Sequence, residues 1–234
     1  MLPTIGLLIG ILSGLLTAET THFLDQLNPF LAVVFGTGLT LLVWVWNKKC
    51  SVWVSLFLIA SSVAAYSAAV WGAPLLAGRI LGFDSDSDAA MFAIAGFLGA
   101  LIINIALLLL LSPETGLRLL RRAAAWACVG AFLGFLASEL GDHLGTPIAT
   151  IFANRPRPEM VAGHETVALY SAYLIWQMGM ALLIPSMLAF GTGQTVSLPR
   201  PPAKLSIFGK AFFFTVFATV LLFGFIVARD HYRK

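Results

Sequence analysis

Charge is what this sequence has least of. Only 11% of its 234 residues are Asp, Glu, Lys or Arg, against about a quarter in an ordinary soluble domain, and that shortage excludes a fully water-solvated surface. Cysteine is as scarce. Cys50 and Cys128 form neither a Cys-x-x-Cys pair nor a framework of bridges, so a redox motif and a disulfide scaffold are both excluded and the two read as structural thiols. There is no Gly-rich phosphate loop, no His-Glu-x-x-His helix and no Gly-x-Ser-x-Gly elbow. No catalytic constellation is therefore assigned. Lys210 stands too close to the start of the last apolar run to resemble a retinal-binding lysine. The N-terminal Met-Leu-Pro-Thr lacks the basic stretch and the small-residue cleavage site of a signal peptide, which predicts a retained helix.

What fills the chain instead is apolar. Hydrophobic residues make up 59% and the mean hydropathy is +0.91. Charged positions divide the sequence into seven long uncharged runs, over 1–18, 26–47, 50–78, 89–113, 123–138, 166–199 and 211–228. Roughly 20 apolar residues span a bilayer as a helix. Only helices and closed barrels satisfy their backbone in lipid, and the strict alternation of a barrel is missing. The fold class expected is an all-α integral membrane protein of about seven helices. With their flanks admitted, the first helix runs from about Pro3 past Glu19 to His22, the fourth over about Ala89–Leu111, and the fifth from about Leu119 to His143.

One segment recurs. Ile9 to Glu19 reads Ile-Gly-Ile-Leu-Ser-Gly-Leu-Leu-Thr-Ala-Glu, and 120 positions later Val129 to Glu139 reads Val-Gly-Ala-Phe-Leu-Gly-Phe-Leu-Ala-Ser-Glu. Gly10 and Gly14 thus match Gly130 and Gly134, and Glu19 matches Glu139. Small residues four apart let helix backbones approach closely where lipid gives no hydrophobic drive, so tight packing is the first reading of both stripes. The match also predicts a parallel internal duplication in a single transmembrane domain over 1–234: a first repeat over about 3–82, a linking helix over about 89–111, and a second repeat over about 119–229. An inserted loop, Gly145 to Gly163, would distinguish the second repeat from the first. This three-plus-one-plus-three order resembles the plan of the SWEET sugar carriers, a likeness of architecture carried by no shared motif.

Taking the helix ends alternately, one side holds eight Lys and Arg residues with one acid, Glu114, and the other holds six with ten acids. The positive-inside rule then places the N-terminus in the cytoplasm and the C-terminus outside, although the basic tail from Arg229 to Lys234 counts against it.

All four histidines fall on the presumed outer side. His22 follows Glu19 by three positions, His143 follows Glu139 by four, and His164 adjoins Glu165. These spacings put side chains on one helix face, and carboxylate with imidazole can hold a divalent metal. Anchoring at the membrane interface needs the same residues and is the simpler reading. Glu19 and Glu139 carry more information, because a carboxylate in the last turn of an apolar helix needs a compensating partner, proton or cation. Deeper in the chain, Tyr173 and Gln177 share a helical stripe, Asn104 is central in the fourth run, and Ser55, Ser62 and Tyr66 share a stripe in the third. Such polar positions glue helices together or line a path. Asp84-Ser85-Asp86-Ser87-Asp88 opens like a calcium loop but has Ala89 where Gly is required and Ala95 where Glu is required. It reads as the cap of the fourth helix.

The function expected is a permease or channel-like carrier for a small solute or ion. Its path would use Glu19, Glu139, Gln177, Tyr173 and Asn104, with a divalent metal at His22, His143, His164 and Glu165 as an additional possibility. The rivals are a non-catalytic scaffold subunit and, behind it, an intramembrane metal-dependent enzyme. Expected partners are the lipid bilayer and either a second copy or the other subunits of a membrane complex, with no nucleic acid.

Overall fold

The computed structural model describes residues 2–20, 31–46, 51–80, 82, 88–111, 116–152, 175–182 and 184, and of these all except Ser51 and Gly82 are helical. The elements are α1 (Leu2–Thr20), α2 (Leu31–Trp46), α3 (Val52–Ser67), α4 (Asp88–Leu111) and α5 (Gly116–Phe152). A further helical segment covers 175–182. Among the described residues three stretches, Val52–Gly78, Ala89–Leu110 and Gly116–Leu140, are long and apolar enough to cross a membrane.

The outward faces say the same thing. Leu8, Leu12 and Leu16 are 55%, 59% and 56% exposed along α1, while Gly6, Gly10 and Gly14, offset by two positions, are buried. A four-residue repeat keeps each set on one side of a helix. The large residues therefore face outwards and the small ones inwards, the reverse of a water-soluble helix and the arrangement that a lipid surround favours. Trp44, Trp53, Phe132 and Phe135 extend this apolar exterior over α2, α3 and α5.

Successive helices pack side by side, α1 on α2, α2 on α3, α3 on α4 and α4 on α5, with the last pair the most extensive. The interior is centred on α4, where Ala100, Ile103, Ala106, Leu107 and Leu108 are fully buried. At the α4–α5 crossing, Gly96 lies against the Gly130 carbonyl and Gly134 against the Phe92 carbonyl, leaving no space for a Cβ on any of the three glycines. Segment 175–182 closes the bundle. Met178 backs onto Gly10 of α1, Gly179 faces Leu133 of α5, and the Trp176 ring meets Gly99 of α4.

Helix α3 starts on a Ser51 cap whose hydroxyl accepts from the Val54 amide. Beyond Ser67 it continues in wider, π-helical turns over Ala68–Gly72 and Leu75–Ile80. Pro74 stands between the two. Its ring removes one amide donor and crowds the carbonyl four residues back, and a widened turn relieves that crowding.

One boundary corrects the sequence-based expectation. The loop foreseen from Gly145 to Gly163 does not begin at Gly145, because α5 runs on through Pro147 to Phe152. One proline costs a single backbone hydrogen bond, which apolar helices tolerate. At about 1.5 Å per residue, α5 is far longer than the roughly 30 Å hydrocarbon layer.

Candidate functional site

Hydroxyls in apolar helices usually donate back to a carbonyl one turn earlier, and most of those in this bundle do. Ser13 donates to Gly10 O at 3.2 Å, Thr37 to Val33 O at 2.8 Å, Thr40 to Gly36 O at 2.9 Å, Ser61 to Phe57 O at 2.7 Å and Ser67 to Val63 O at 2.8 Å. Ser62 is different: it is 2% exposed, and its Oγ has no hydrogen-bond partner among the described residues. Instead it sits against Gly36 of α2, where only a glycine leaves room for it.

Gln177 is 4% exposed. Its Nε2 donates to Thr17 Oγ1 of α1 at 3.1 Å, while its Oε1 has no partner among the described residues. Neighbouring Trp176 has its ring 5.5 Å from that of Phe35, inclined at 57°, a tilted aromatic pairing. Its Nε1 is likewise buried and unpartnered. Leaving a buried donor or acceptor unmet costs about 1–3 kcal/mol, so a cluster of such groups calls for a reason.

Ser62, Trp176 and Gln177 all line one cavity of about 240 Å³. Its remaining wall comes from Ala32 and Phe35 of α2, from Ala65 to Pro74 along α3 and its π-helical turns, from Met91 to Gly99 of α4, and from Gly134 and Ala137 of α5. Among the described residues no charged side chain contributes. The widened turn before Pro74, through Ala69 and Val70, forms part of the wall, in keeping with the habit of π-helical turns to occur at working sites. The cavity can therefore accommodate an apolar body, while the polar atoms of Ser62, Trp176 and Gln177 are themselves buried beside it.

The residues singled out from the sequence are distributed unevenly around this site. Gln177 is on the cavity wall. Asn104 is 1% exposed in α4 with its Nδ2 unpartnered among the described residues, and it belongs to the packed interior, outside the cavity lining. Glu139 is exposed on α5, two positions beyond Ala137 of the wall. Glu19 lies in the last turn of α1 and His143 within α5 as backbone positions. Their side chains, and all of His22, His164, Glu165 and Tyr173, lie outside the described residues. Among the described residues no three His, Cys, Asp or Glu side chains gather into a metal-ligand set. Gly10, Gly130 and Gly134 mediate close backbone contacts, and Gly14 is buried. The contacts run to different helices, Gly10 to segment 175–182 and the α5 pair to α4.

Sequence reasoning missed Thr17, Trp176 and Pro74. Thr17 falls seven positions after Gly10 and three after Gly14, so the small-residue face itself pointed to it. Trp176 gave no such signal, since a tryptophan in an apolar run faces lipid as readily as the interior.

No protein-family model matches the chain, and no curated protein or solved structure matches it either.

Proposed function

We propose that the protein is a small membrane carrier that holds a solute in the cavity between α2, α3, α4, α5 and segment 175–182. The observation that carries this reading is the apolar cavity of about 240 Å³, enclosed by four helices and segment 175–182 and bordered by Gln177, whose amide is held by Thr17. Ligand sites in helix bundles are largely apolar concavities with a few placed polar groups. The described lining carries no charge, which favours a neutral solute over an ion.

The wider frame of this proposal is a seven-helix chain with a parallel three-plus-one-plus-three duplication, the N-terminus cytoplasmic and the C-terminus outside. It includes association with a second copy or a larger complex. Glu19 and Glu139 then stand as a pair at the end of the path, with Glu139 just beyond the wall residue Ala137. The rival reading is a scaffold subunit, favoured by the aromatic exterior of Trp44, Trp53, Phe132 and Phe135.

Water access separates the two. Single cysteines at Ala137 and Ala69, in a background with Cys50 and Cys128 changed to serine, are treated in proteoliposomes with a water-soluble thiol reagent. A carrier admits the reagent from at least one side. Two unreactive positions reject the carrier and leave the scaffold.

A further inference from the structure

Helix α5 gathers its positive charge in one place. Arg118, Arg121 and Arg122 fall within its first two turns, and the next charged residue along the helix is Glu139. Leu119, Ala123, Ala127 and Gly130 are buried, which fixes the side of α5 that packs on the bundle. Arg118 and Arg121 are exposed on the other side. At about 3.6 residues per turn they stand in line with Ala125, Cys128 and Phe132, which are exposed on the same helix. Two guanidinium groups therefore crown a strip that further along is apolar and faces outwards.

The strip has the length of one leaflet. Arg121 and Phe132 are about 16 Å apart along the axis at about 1.5 Å per residue, close to half of the roughly 30 Å hydrocarbon layer. Small side chains at Ala125 and Cys128 keep the surface between them low. A second marker sets the same level. The connections from α3 to α4 and from α4 to α5 are too short to run the length of a helix, so α3 and α5 start at one end of the bundle, and Trp53 in the first turn of α3 is 74% exposed. Exposed tryptophan and arginine at one level mark the boundary between acyl chains and headgroups.

Charge selects the lipid. Residues 116–122 hold three arginines and no acid, and Glu114 is the single acid nearby in sequence. Glu139 stands about 27 Å from Arg121 along the helix. A guanidinium grips a phosphate through paired N–H···O bonds. A zwitterionic headgroup brings a cation that these arginines repel, whereas an anionic one does not.

We propose that the outward face of α5 from Arg118 to Phe132 is a docking site for an anionic phospholipid, its phosphate held by Arg118 and Arg121 and one acyl chain laid along Ala125, Cys128 and Phe132. The site is separate from the cavity, and the inference stands or falls without the carrier reading.

The test is photocrosslinking of the full-length protein in phosphatidylcholine nanodiscs with phosphatidylglycerol that carries a diazirine in one acyl chain, the adducts being located by mass spectrometry. Adducts are expected on α5 between Ala125 and Phe135, and unlabelled phosphatidylglycerol should displace them better than added phosphatidylcholine does. Arg118→Gln and Arg121→Gln should each weaken that preference about fivefold, the weight of one basic residue at an anionic membrane surface. Arg121→Lys keeps the charge and should lose less. Leu8→Ala on the outer face of α1 should change nothing, and thermal unfolding of each variant in detergent should match the wild type, since both arginines are exposed. Equal labelling by phosphatidylcholine that carries the same diazirine, adducts spread evenly over α1 and α5, or a preference intact in the Arg118→Gln and Arg121→Gln double variant would each overturn the inference. Inorganic phosphate that displaces the labelled lipid beyond chloride of equal ionic strength would reveal a site for a soluble anion and overturn it as well.

Discussion

The side-chain amide of Gln177 donates to the hydroxyl oxygen of Thr17 across 3.1 Å, joining two buried residues separated by 160 positions in the chain. The bond fastens segment 175–182 to the first helix of the bundle. It also fixes the rotamer of Gln177, a residue of the cavity wall.

Removing the acceptor should therefore both loosen the helix pair and release the amide. Thr17→Val is expected to cost about 1 kcal/mol, toward the upper part of the range for side-chain hydrogen bonds between membrane helices. In a double-mutant cycle with Gln177→Leu, measured by unfolding in detergent, the combined loss should be smaller than the sum of the single losses. Strict additivity would show that the two residues do not act together.

Glycine substitutions should divide by what a Cβ would meet. Gly10→Ala places its Cβ 2.6 Å from Met178 Cα, and Gly134→Leu drives a side chain into the Phe92 carbonyl. Losses of about 1–3 kcal/mol or more are expected, and Gly14→Leu on the same buried face should behave likewise. Gly78→Ala, with nothing within 4 Å, should be neutral or stabilising by up to about 1 kcal/mol. Thermal unfolding in detergent ranks all four, and a destabilised Gly78→Ala would refute the assignment.

How much of this was legible in the sequence differs from residue to residue. The uncharged runs at 50–78 and 89–113 locate Val52–Gly78 and Ala89–Leu110 to within a few positions, because charge is costly in lipid and marks helix ends. The spacing of Gly130 and Gly134 indicated close backbone approach, yet not that α4 is the partner. A small-residue stripe encodes how near a neighbour comes, not which neighbour it is. Gln177 stood out as a lone amide in an apolar run. The cavity did not, since its shape depends on how far each helix is rotated and on the widened turns around Pro74, neither of which leaves a periodic trace.

Asn104 offers a check on packing. Its Nδ2 is buried without a partner among the described residues, so Asn104→Leu removes an unmet donor while nearly keeping volume. Stability should be unchanged or rise by about 1 kcal/mol. A clear fall would mean that the amide is bonded outside the described residues.

Charge at the end of the path is tested by isosteric replacement. Glu139 is exposed, so Glu139→Gln should alter stability by less than about 0.5 kcal/mol. If Glu139 and Glu19 act in passage, Glu139→Gln and Glu19→Gln should each slow solute flux in proteoliposomes while leaving folding intact. Wild-type flux in both variants rules the pair out.

Orientation follows from the eight Lys and Arg residues on one side and six on the other. A cysteine at Asp86 should be labelled from outside intact cells and one at Lys48 should not. The opposite pattern would move every outer group to the cytoplasm.

The crossing of α4 and α5 has a consequence for inheritance. Where a side chain blocks a Cβ, as Leu133 does at Gly179 with a closest approach of 2.7 Å, trimming that side chain can restore the fit, and a lesion there has a second-site suppressor. At Gly96 and Gly134 the obstructing atom is a carbonyl oxygen of the opposing main chain. No codon elsewhere can trim a carbonyl. Relief at these two positions therefore requires the α4 and α5 backbones to move apart, a change that no single trimmed side chain supplies.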